Sequence, residues 1–184
     1  MLAQLLLVDM YANLQNPKTD SYLLLKNLLL GDKLPWYSSH WATEVSAGVD
    51  DFILFFHNFV ERPDGENKPQ VPVIASDWFG LAYQVFEELC ETNNIKLGCL
   101  LRLTANNVFP NSLYDYSPSH VDHPFDHSNM IITFTSTGGS TFVEDIDLQN
   151  GEDSVVMFGG NKHYHSFPSS GRRIVMVATF IEVR

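Results

Sequence analysis

From Ile95 onward the chain is a succession of short apolar runs broken by turn residues, with no helical pattern between them. Segments 96–104, 130–135, 141–144, 154–158 and 174–183 read as strands. Pro110-Asn111-Ser112, Thr137-Gly138-Gly139-Ser140, Gln149-Asn150-Gly151, Gly159-Gly160 and Ser169-Ser170-Gly171 supply the turns. Parallel neighbours need a long crossover, usually a helix, and none is available. The pairing is therefore antiparallel, and the architecture a sandwich or jelly roll.

The first half supplies a support. Segment 19–30 is a short helix with Asp20 and Ser21 as cap candidates and Gly31 to end it. Segment 51–60 is aromatic and apolar, a core strand, and 61–70 is a polar loop rich in turn residues. Ser76 can cap a second helix, in which Phe79, Ala82, Tyr83, Phe86, Leu89 and Cys90 share one face and Asn93-Asn94 close the end. This stripe packs on the sheet. Segment 1–8 is apolar but has no basic flank, is interrupted by Gln4 and stops at Asp9. It reads as a buried first strand rather than a signal peptide or a membrane span, so a cytoplasmic protein is expected. At 184 residues the chain makes one domain. The expected fold is mostly β with N-terminal helices, a double-stranded β-helix (jelly roll, cupin-like), with 1–95 as support and 96–184 as the core that carries a site.

A net charge of −11 repels a phosphate backbone, and the eleven basic residues are scattered, so no nucleic-acid or membrane partner is expected. Cys90 and Cys99 form neither a disulfide framework nor a zinc pattern and read as two buried thiols.

Five of the seven histidines lie between positions 120 and 165. In an extended segment, residues i and i+2 face the same way, so His120 and Asp122 are presented together with Val121 turned aside. A third donor has to come from a facing strand or loop, and His163 and His165 occupy that place. Two imidazoles and one carboxylate hold a metal on adjoining positions and leave the opposite face open, the pattern of non-haem Fe(II) oxygenases. 2-Oxoglutarate chelating such an iron leaves its distal carboxylate in need of a fixed cation. A guanidinium matches a carboxylate bidentately. Arg173 at the start of the last strand can point inward; Arg172, in the same register, points the other way.

At these residues the chain resembles the prolyl 4-hydroxylase-like 2-oxoglutarate/Fe(II) dioxygenases, most closely small members carried by cyanobacterial phages. The resemblance runs through His120-Val121-Asp122-His123-Pro124-Phe125-Asp126-His127, segment 129–135, Gly139-Ser140-Thr141, Phe158-Gly159-Gly160-Asn161, Tyr164-His165-Ser166 and Arg172-Arg173-Ile174-Val175. Leu34-Pro35-Trp36-Tyr37 and Phe55-Phe56-His57 extend it into the first half. It implies decarboxylation of 2-oxoglutarate to succinate coupled to hydroxylation of a peptidyl residue such as proline, or of a small molecule. It also implies Fe(2+) on His120, Asp122 and a distal histidine, Arg173 on the co-substrate, O2 as oxidant and ascorbate as a candidate reductant. His127 takes a supporting role, and a phage-encoded protein would work in the host cytoplasm. Matching on Tyr164-His165-Ser166 selects His165 as the distal ligand, whereas counting back from Gly171-Arg172-Arg173 selects His163; His165 is the expectation carried forward.

Two other readings fit the same pattern. One is a cupin-like metalloprotein that does not use 2-oxoglutarate and has no need of Arg173. The other is a non-catalytic jelly-roll binding protein in which the histidines are incidental. Substrate specificity is expected in the loops at 61–70 and 109–119, with Tyr114, Tyr116 and Phe125 as pocket-lining aromatics.

Overall fold

A computed structural model describes residues 11–39, 53–62, 71–148 and 151–183. The expected strand at 1–8 and most of the loop at 61–70 lie outside the described residues. The elements in chain order begin with β1 (Tyr11–Leu14), α1 (Asp20–Leu30), β2 (Tyr37–Ser39), β3 (Leu54–Glu61), β4 (Val73–Ile74) and α2 (Phe79–Thr92). There follow β5 (Leu97–Val108), β6 (Ser128–Thr133), β7 (Thr141–Val143), β8 (Ile146–Asp147), β9 (Val155–Gly159), β10 (His163–His165) and β11 (Arg173–Glu182). The major sheet runs β1-β9-β6-β11-β5-β3-β2, with β4 on β3, and the minor sheet runs β10-β7-β8. Every pairing among the named strands is antiparallel, as the lack of crossover helices requires. The result is the expected jelly roll with a helical support.

The two faces of the major sheet divide the labour. Alternate residues of β11 (Ile174, Met176, Ala178, Phe180) join the larger core beneath the helices. The intervening Val175 and Val177 face the minor sheet and pack with Ile131, Val143, Val156 and Phe158. Thus β11 is apolar on both faces, and only its first residue, Arg173, brings a charge inside.

Both helices lie where the sequence puts them, but their starts differ in detail. The N-cap of α1 is Thr19, one residue before the expected Asp20 and two before Ser21; its hydroxyl accepts the Tyr22 amide at 3.2 Å. Ser21 instead bonds Glu88 of α2, as does Thr19, so the hydroxyls join the two helices. Ser76 orders the turn ahead of α2, with its Oγ accepting from the Trp78 amide and its carbonyl from Phe79, while Trp78 occupies the cap position. The buried face of α2 comprises Ala82, Val85, Phe86, Leu89 and Cys90, and Phe86 meets Phe180 edge-on with centroids 5.2 Å apart. Cys99 is exposed rather than buried, because an early position of β5 lies beyond the core.

Candidate metal centre

The segment between β5 and β6 is not a regular strand. Pro110, Pro118 and Pro124 withhold backbone donors along it, and it contacts its neighbours through isolated bridges at Tyr116–Ser166 and His120–His163. At the second bridge the amide of each histidine donates to the carbonyl of the other, at 3.0 and 2.9 Å. This close pair sets the two imidazoles side by side, with ring centroids 4.5 Å apart. Two residues on, Asp122 sits in a bend and turns its carboxylate to the same place.

The donor atoms of His120, Asp122 and His163 all lie within 4.8 Å of one another, and the group could hold a metal ion. Asp122 Oδ2 lies 3.4 Å from His163 Nε2, is shut off from solvent and has no hydrogen-bond partner. The distal histidine in this cluster is His163, not the expected His165. The bridge makes His163 the residue opposite His120, and His165 lies two residues farther along β10, roughly 7 Å away.

The ring orientations suit ligation. His120 Nδ1 pairs with the Pro118 carbonyl at 3.2 Å and His163 Nδ1 with the Asn161 carbonyl at 3.0 Å. A carbonyl only accepts, so each Nδ1 carries a proton, which leaves Nε2 as the ring atom that would ligate. Burial, then the neighbouring His163, lowers the His120 pKa to about 4, keeping it in the neutral form a metal requires. Burial pushes the Asp122 carboxyl up, but Arg102, His163 and Arg62 outweigh it and hold the group well below the ordinary carboxylate range.

Sequence reasoning missed the two arginines on Asp122. Arg62 grips it twice, with Nη2 on Oδ1 at 2.7 Å and Nη1 on the main-chain carbonyl at 2.6 Å, and Arg102 reaches Oδ1 at 3.5 Å. Both bond Oδ1, which leaves Oδ2 for the cluster. Arg62 stands sixty residues away in a polar stretch and carries no signal of this contact. Arg102 does carry one, since a charge between Leu101 and Leu103 in a core strand needs an internal partner.

Arg173 is 2% exposed and lies between the sheets. Its Nη2 donates to Thr141 Oγ1 at 2.9 Å, its Nε has no partner, and among the described residues no carboxylate pairs with it. Burial lowers its pKa to about 10, so it stays charged at neutral pH. Gly139 permits this approach: it has φ +81°, and a Cβ there would stand 3.0 Å from Arg173 Cδ and 2.9 Å from the Ser166 carbonyl. Arg172 faces outward and donates to the Leu30 carbonyl at the end of α1.

His127 is buried under the chain at Gly160, where a Cβ would come within 2.8 Å of its ring, and its Nδ1 pairs with the Phe125 carbonyl at 2.7 Å. A surface cavity of about 480 Å³ opens beside the cluster, lined by Val121, His123, Phe125, Gly160 and Asn161. Phe125, 46% exposed, stacks on His123. Tyr116 packs on Phe142 and Tyr164 instead, and Tyr114 is exposed on the same loop.

No family model and no curated protein matches the sequence. Solved structures do match the fold. A 2OG-Fe(II) oxygenase family oxidoreductase from Burkholderia pseudomallei superposes with a TM-score of 0.67 at 14% identity, covering 97% of this chain and 88% of that one. A Trichoplax adhaerens prolyl hydroxylase in complex with a hypoxia inducible factor peptide gives 0.58 at 9% identity, covering 99% and 88%. A Pseudomonas putida prolyl-4-hydroxylase gives 0.53 at 10% identity, covering 95% and 94%. At such identities the likeness establishes a shared fold across nearly the whole chain.

Proposed function

We propose that this chain is a non-haem Fe(II) dioxygenase that uses 2-oxoglutarate and O2 to hydroxylate a peptide side chain or a small molecule. The observation that carries the reading is the joint placement of two charged sets in one interior. At one end are His120, Asp122 and His163; at the other is Arg173, a buried cation with no counter-ion among the described residues. A buried charge is costly without a partner, and a ligand carboxylate would supply one.

The residues present fit both groups. Asp122 Oδ2, which has no partner, and the Nε2 atoms of His120 and His163 would form a three-point donor set, with the other carboxylate oxygen, Oδ1, engaged by Arg62. Iron held there supplies the redox chemistry that couples oxidative decarboxylation of 2-oxoglutarate to succinate with hydroxylation of a second molecule. The protein's own part is positional. His120 and His163 are fixed by backbone carbonyls, Arg62 and Arg102 keep Asp122 ionised, and Arg173 with Thr141 receives the co-substrate's distal carboxylate. A cupin-like reaction gives Arg173 no task, which is why the 2-oxoglutarate reading is preferred.

The candidate substrate surface is the cavity at Val121, His123 and Phe125, of which Val121 and His123 are adjacent in sequence to the ligands His120 and Asp122. Two of the structural neighbours illustrate the range, one bound to a hypoxia inducible factor peptide and one an epimerase from nogalamycin biosynthesis. The direct test is slow Fe(II)-dependent conversion of 2-oxoglutarate to succinate by the purified protein without added substrate. Wild type turns over and Asp122→Ala does not; full activity in Asp122→Ala would contradict the site.

A further inference from the structure

His165 is the polar group of this interior that the cluster does not use. It is the direct Cα partner of Thr141 in the β7–β10 pairing, and directly opposed residues point to the same face of a sheet. That face carries His163 and Val143 and looks into the space between the sheets. Thr141 is the residue that Arg173 bonds, so His165 and Arg173 converge on one spot. His165 Nε2 is shut off from solvent and has no hydrogen-bond partner, and the same holds for Arg173 Nε. Thr133 Oγ1 is a third such atom; it faces inward from β6, opposite Val175. Buried polar atoms without partners are rare and costly singly, and three on one inner surface make a set of unused donors that an anionic group would satisfy.

We propose that His165 is a binding residue for the co-substrate, donating Nε2–H to the distal carboxylate of 2-oxoglutarate beside Arg173. This rests on the proposed function above and adds a discriminating donor to it. A 2-oxo acid of the same chain length without the distal carboxylate gains nothing from His165. The histidine therefore sharpens selection for the diacid, because only the diacid gives the unpaired donor a partner.

The test is calorimetric titration of Mn(II)-loaded protein with 2-oxoglutarate and, separately, with 2-oxopentanoate. Wild type, His165→Leu and His165→Gln are compared, and metal affinity is measured for each. The expected result for His165→Leu is a 2-oxoglutarate Kd about 10- to 100-fold higher, from loss of one hydrogen bond to a charged group. Metal affinity and 2-oxopentanoate binding stay unchanged. His165→Gln, which keeps a donor near the same place, recovers part of the loss and serves as the check on folding. Equal weakening of both acids, no weakening, or loss of metal in His165→Leu overturns the assignment. If wild type binds metal but neither acid, the 2-oxoglutarate reading itself fails, and His165 with it.

Discussion

Arg173→Met separates a functional arginine from a structural one, because the two roles have opposite effects on stability. Burial lowers the guanidinium pKa from 12.5 to about 10. At about 1.4 kcal/mol per tenfold change, keeping the charge in this interior costs roughly 3 kcal/mol. Methionine retains most of the aliphatic stem and removes the charge, at the expense of the bond to Thr141, worth about 1 kcal/mol. Without ligand the variant should be more stable than wild type by about 1–3 kcal/mol, in line with replacements of buried charges by apolar groups. Ligand reverses the order. At a hundredfold excess over Kd, 2-oxoglutarate stabilises wild type by ~2.7 kcal/mol, and the variant should gain almost nothing. Urea denaturation of the Mn(II)-loaded proteins, with and without 2-oxoglutarate, reads both effects. A variant that is destabilised and still responds fully to 2-oxoglutarate would refute the reasoning, since Arg173 would then be holding the fold and not the co-substrate.

Asp153 tests the support. It takes Tyr22, Lys26 and Lys18 together, and although partial burial pushes its pKa up, Lys26, Tyr22 and Lys18 bring it down from 3.8 to about 2. A depressed carboxyl pKa stabilises above about pH 4 and ceases to do so as pH falls toward 2. Discounted for solvent at the exposed Lys18, Asp153→Asn should cost about 1–2 kcal/mol at pH 7 and little at pH 2, as measured by urea denaturation at both values. Gly139→Ala forces a side chain into a positive-φ position against Arg173 and the Ser166 carbonyl. It should lose about 1–3 kcal/mol of stability in the same assay and weaken 2-oxoglutarate binding without affecting metal, as read by titration.

The architecture was legible because its signals are local. β5, β6, β9 and β11 are apolar runs between Gly and Asn turns, and α2 has an apolar stripe at helical spacing. The strands that sequence reasoning missed, β1, β2, β4, β8 and β10, have two to four residues each. Their pairing is fixed by tertiary contact rather than by their own pattern. The centre was legible in part for the same reason. His120 and Asp122 share a short motif, and Arg173 opens an apolar strand. His163 and His165 alternate identically in an extended segment, and the antiparallel bridge from His163 to His120 tells them apart. Arg62 is remote from Asp122 in sequence and meets it only through the fold.

The central claim is that His120, Asp122 and His163 hold an Fe(II) that 2-oxoglutarate can chelate, with Arg173 at its far end. Anaerobic titration of Fe(II) and 2-oxoglutarate into the purified protein addresses it directly, through the weak visible metal-to-ligand charge-transfer band of the chelate. Wild type should develop the band. His163→Ala should not, and Arg173→Met should require far more 2-oxoglutarate to reach it. Metal-loaded wild type with no band at saturating 2-oxoglutarate, or a His163→Ala protein with an undiminished band, would contradict the assignment.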